Sequence, residues 1–103
     1  MLDFNPKTIE PNYKNIGRDQ KRICREMAKN NWIIKIVMDH KYNQEAIWLE
    51  DEIGDNRLRK LESCFVESLG KRGLFLSNLS TPSLEISIAE LRLKPEVKEH
   101  FNV

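Results

Sequence analysis

An α+β domain, with helices packed on one face of a mainly antiparallel sheet of about four strands, is the fold class this sequence predicts. Three observations predict it: apolar residues at helical spacing from Ile16 to Met27, a β-branched run from Trp32 to Asp39, and a leucine repeat closed by Gly70. The expected order is helix, two strands, helix, two strands, short helix. At 103 residues the chain holds one domain's worth of core.

Residues 1–16 read as an extended arm and residues 17–103 as the single domain. Pro6 and Pro11 keep the residues before them out of helical geometry. Leu2, Phe4, Ile9, Tyr13 and Ile16 recur along the arm, so it is expected to pack on the domain or on a partner. The first helix should run from Gly17 or Arg18 to Asn30, with Ile16, Ile23 and Met27 on one side and the Asn30-Asn31 pair as its stop.

Residues 32–53 read as a hairpin. Trp32 to Asp39 supplies the first strand, Lys41 to Gln44 the turn, and Ala46 to Leu49 with Ile53 the return. Trp32 and Trp48 are candidates for facing each other across it. Gly54, Asp55 and Asn56 should end the hairpin and cap a second helix over 57–69, where Leu58, Leu61, Phe65 and Leu69 are spaced by three and four. A short strand at Leu74 to Leu76 and a loop from Ser77 to Pro82 come next. Leu84, Ile86 and Ile88 alternate, so 84–91 is expected to be a strand, and a helical turn is expected from Pro95.

The charge is partitioned. With 17 Lys and Arg against 16 Asp and Glu the net charge is only +1, yet residues 1–31 hold seven bases and four acids, and residues 32–56 two bases and six acids. Residues 57–73 hold five bases and two acids. Placed 100° apart, Arg18, Arg22, Arg25 and Lys29 form a narrow stripe on the first helix, with Lys21 at its margin. Such a stripe suits a phosphate backbone or an acidic protein face, and it equally suits a solvated surface.

Catalysis is the weaker expectation. Glu50-Asp51-Glu52 is an acidic run, but consecutive acids in extended chain point in alternating directions and do not aim at one ion. Asp39, His40 and Glu50 are the candidates for a metal-dependent hydrolase, and they lack both a second close ligand and a nucleophile in an elbow motif. No glycine-rich phosphate loop is present, and no cofactor is expected. Cys24 and Cys64 read as small core or half-buried residues and not as a disulfide framework. The opening MLDFNPKTIEP has no apolar run of signal-peptide length, so a cytoplasmic location without membrane contact is expected.

These readings converge on a small non-catalytic interaction protein, an inhibitor, adaptor or regulatory subunit of the compact kind common in viruses and mobile elements. It is expected to bind a larger protein through Arg18, Arg22, Arg25, Lys29, Glu50, Asp51 and Glu52, with Trp48 as an outward aromatic anchor. The alternative is a nucleic-acid-binding module using Arg18, Lys21, Arg22, Arg25 and Lys29, joined by Arg57, Arg59, Lys71 and Arg72. An open sheet edge also leaves room for a homodimer.

Overall fold

The computed structural model describes residues 10–51, 53 and 56–102. Along the chain run α1 (Arg18–Asn30), β1 (Ile33–Asp39), β2 (Gln44–Glu50), β3 (Arg57–Lys60), α2 (Ser63–Gly70), β4 (Phe75–Ser80), β5 (Ile86–Leu93) and α3 (Pro95–Phe101). The strands form one sheet in the order β3-β2-β1-β5-β4, and every neighbouring pair is antiparallel. The α+β class holds, with five strands among the described residues in place of about four.

Register decides which side chains meet. Ile34 lies opposite Leu49 on one side and Leu91 on the other, and Ile36 lies between Ile47 and Ala89. These six are buried, and α1 adds Ile23, Cys24 and Met27, α2 adds Val66 and Leu69, and α3 adds Val97 to the same core. Alternation puts Ile33, Lys35 and Val37 on the opposite face, together with Trp48 and Glu50 of β2. Truncating a core residue such as Leu49 to Ala should cost about 2–5 kcal/mol, because close-packed neighbours refill such a void only in part.

Local chemistry explains the element ends. Gln20 Oε1 accepts a hydrogen bond from Gly17 N at 3.1 Å, satisfying a donor at the start of α1, and Asn31 closes the helix in the left-handed region at φ 57°. Lys98 Nζ donates to Asn31 Oδ1, tying α3 to that cap. In the hairpin turn, Asp39 Oδ1 accepts from the backbone N–H of Lys41 and of Tyr42, while Asn43 takes φ 51°. Trp32 precedes β1, and Trp48 lies opposite Lys35, so the two tryptophans do not pair across the hairpin.

Three expectations about elements are corrected. Residues 57–60 are a strand and not the first turn of a helix: β2 offers an unpaired outer edge, Arg57 to Lys60 fill it, and Leu58 is left 42% exposed. The helix starts only at Ser63: Leu61 is buried but its N–H still bonds Ile47 O of β2 at 2.9 Å, and Leu69 is buried within α2. Gly70 lies within α2, and the left-handed glycine is Gly73 at φ 72°. The loop expected from Ser77 is strand as far as Ser80, because Ser77 to Ser80 lie in unbroken register opposite Leu91 to Ile88 of β5. The cap proposed at Gly54 and Asp55 lies outside the described residues.

Of the expected arm, residues 1–9 lie outside the described residues, and the rest is seated on the domain. Asn12 N donates to Arg72 O at 2.8 Å, Ile16 is buried, and Tyr13 stacks on His100 with ring centroids 3.7 Å apart. Burial, with the Glu96 carboxylate nearby, raises the Tyr13 phenol above its usual pKa. Among the described residues no helix is long and apolar enough to cross a membrane.

Candidate functional site

The basic stripe survives folding. Ile23, Cys24, Met27 and Ala28 face the core, which turns Arg18, Lys21, Arg22, Arg25 and Lys29 to the outer face of α1, all exposed. From Arg18 to Lys29 the stripe extends about 16 Å at 1.5 Å per residue. Among the described residues, Arg18, Lys21, Arg25 and Lys29 make no ion pair, whereas Arg22 binds Asp19 at 2.8 Å. Asp19 also binds Arg59 of β3 at 3.0 Å, so the sheet edge is tied to the helix and brings Arg59 beside the stripe. The hydrogen bond from Arg59 is the main reason the Asp19 carboxyl titrates below its usual range, with Arg22 adding to it.

Beside Lys21 and Arg25, which are one helical turn apart, a cleft of about 550 Å³ is lined by Tyr13, Ile16, His100 and Phe101. Cations beside aromatic rings suit a phosphate-bearing chain whose bases can stack. Sequence reasoning missed this cleft because its rings come from opposite ends of the chain, and no local pattern couples Tyr13 to His100.

Other candidates are dispersed. Lys71 pairs with Glu67 one turn away on α2, and Arg72 donates from its two terminal nitrogens to the carbonyls of Lys14 and Asn15. Arg72 is thus a clamp on the chain before α1, not part of the basic face. Arg57 lies over Trp48, with its guanidinium carbon 3.9 Å from the ring centroid.

The aromatic anchor is corrected as well. Trp48 does point away from Ile47 and Leu49, but it is only 7% exposed, being covered by Arg57 and hydrogen-bonded through Nε1 to Glu50 Oε1 at 3.1 Å. The acidic surface dissolves for a related reason. Glu50 is 4% exposed and faces Lys35 Nζ at 3.7 Å, and Asp51 accepts from Asn56 Nδ2 at 2.8 Å. Glu52 lies outside the described residues.

Asp39, His40 and Glu50 are not brought together. Asp39 pairs with Gln44 at the turn and Glu50 with Ile33 at the far end, so six residues of strand, about 20 Å, separate the carboxylates. Asp39 caps the turn, and His40 Nε2 is bonded to Ser87 Oγ at 2.7 Å. No group of three or more His, Cys, Asp and Glu able to hold a metal ion is found among the described residues. Cys24 is buried, whereas Cys64 is exposed on α2, contrary to its expected place in or near the core.

The class that fold and site define is a small α+β domain with a basic helix face. Comparison with protein-family models, curated proteins and solved structures finds no match.

Proposed function

We propose that this chain is a small non-catalytic binding module that docks the phosphate backbone of a nucleic acid on the outer face of α1. The observation that carries the reading is the row of Arg18, Lys21, Arg25 and Lys29, exposed and without an ion pair among the described residues. Each phosphate neutralised by such a cation releases condensed counterion, so binding is driven by salt release and falls as salt rises. The cleft beside Lys21 and Arg25 supplies rings for unpaired bases, which favours a single strand over a duplex. The engagement of Asp39 and His40 in a turn cap and a side-chain bond supports a non-catalytic role. A reducing, cytoplasmic setting belongs to this reading, supported by two unpaired cysteines.

Fluorescence anisotropy with a labelled mixed-sequence single strand at low and rising salt tests it. Replacing both Arg25 and Lys29 by Ala should weaken binding about tenfold or more and reduce the salt slope by about 1.4 for a single strand. Absence of binding at the lowest salt overturns the reading.

A second reading keeps the same face and changes the partner. Asp19 between Arg22 and Arg59 gives the stripe a fixed mixed-charge corner, which suits the acidic surface of a larger protein better than a uniform polyanion. In that case the protein acts as an inhibitor, adaptor or regulatory subunit. It should then be retained on acidic protein partners and not on oligonucleotides of equal charge.

A further inference from the structure

The two edges of the sheet are built differently. β3 is four residues long, carries Arg57, Arg59 and Lys60, and pairs with β2 through a shifted register at Leu49/Glu50. A short, charged, irregular strand is how proteins keep an edge from recruiting another strand. β4 has none of these protections. It is six residues of Phe, Leu, Ser and Asn, without charge or proline, and pairs in unbroken register with β5 along its whole length.

Apolar surface collects at this edge. Of the six large hydrophobic side chains left exposed among the described residues, Leu76 (41%) and Leu79 (58%) are on β4 and Leu84 is in the connection to β5. Alternation puts the two β4 leucines on opposite faces: Leu79 lies opposite Ala89 on the helix-bearing side, and Leu76 opposite Arg92 on the other. A strand added at this edge therefore covers apolar surface on both sides of the sheet.

We propose that the outer edge of β4, unpaired among the described residues, pairs antiparallel with β4 of a second copy, joining two sheets into one across a two-fold axis. The charge pattern selects this occupant. A two-fold contact sets residue i of one strand against residue j of the other and j against i, so a strand whose charges all share one sign meets only that sign; β3 would bring cations against cations, whereas β4 carries no charge to oppose. Because the axis stands perpendicular to the joined sheet, the helices of both copies lie on the same side, and the two α1 basic faces with them. The inference rests on the strand edge and not on the nucleic-acid reading.

Sedimentation velocity of the full chain from low micromolar to near-millimolar concentration tests it. The expected mass rises with concentration from 12.2 kDa to twice that value. Leu79→Lys gives β4 the device β3 already carries and should raise the dimer dissociation constant about tenfold or more, while Leu58→Lys on β3 should leave it unchanged. Both positions are exposed, and circular dichroism checks that each variant is folded. A monomer at every concentration overturns the proposal, as does a dimer that ignores Leu79→Lys or responds equally to Leu58→Lys. Loss of oligonucleotide binding without change in mass bears on the polyanion reading alone.

Discussion

Trp48 donates its indole Nε1–H to Glu50 Oε1 at 3.1 Å, two residues along β2 on the face opposite the helices. The second carboxylate oxygen faces Lys35 Nζ at 3.7 Å, and Arg57 covers the indole from above. A buried carboxylate is tolerated because its oxygens have partners, and its neighbours depend on it in turn.

Glu50→Ala should therefore destabilise the domain by about 3 kcal/mol, since it strands the indole donor and leaves a half-buried Lys35 without its counter-charge. Glu50→Gln keeps an acceptor for Trp48 and should cost clearly less. Urea titrations of the two variants rank them; equal midpoints would show that the carboxylate is not holding this corner.

The Asp19 carboxyl is lowered chiefly by the hydrogen bond from Arg59, with Arg22 adding to it. A carboxyl lowered in the folded state contributes stability that is fully present above its unfolded pKa, near 3.8. That contribution is lost as pH falls through the lower folded value. Wild-type stability should thus fall more steeply in acid than that of Asp19→Asn. Thermal melts from neutral pH down to pH values below the unfolded pKa compare the slopes, and parallel curves would contradict the pairing.

Burial pushes the Cys24 thiol up to about 12, while Cys64 is exposed. The thiolate is the reactive form, so iodoacetamide at mildly alkaline pH should label Cys64 in the native protein and Cys24 only in denaturant. Peptide mass spectrometry assigns the site. Rapid labelling of Cys24 in the folded state would place it outside the core.

Arg72 and Arg25 should separate cleanly. Arg72→Ala removes the donors that hold the Lys14 and Asn15 carbonyls, so amide hydrogen exchange over residues 12–17 should speed up with little loss of oligonucleotide affinity. Arg25→Ala should do the reverse. Similar affinity losses in both variants would place Arg72 in the binding face after all.

Long, strongly patterned segments are legible in the sequence. The first helix, the hairpin strands and the α+β class follow from apolar periodicity, which reflects burial on one side of a helix or strand. Residues 57–60 were not legible, because Arg57-Leu58-Arg59-Lys60 fits either element and the choice depends on the bare edge of β2. The stripe on α1 was legible because one helix suffices to define it. The cleft was not, since residues 13 and 100 meet only in the folded chain.

By itself the sequence determined where apolar side chains recur and where cations share a helix face, both properties of neighbours within about four residues. Only the tertiary structure decided which charges remain unpaired. Register buries Glu50 against Lys35 and Trp48, and the docking of α1 beside β3 gives Asp19 to Arg59 as well as to Arg22. Arg18, Lys21, Arg25 and Lys29 keep their charge open to a partner because no acid is carried to them among the described residues. Ion pairing depends on distances of a few ångströms between segments far apart in the chain, and those distances exist only once the sheet has chosen its register.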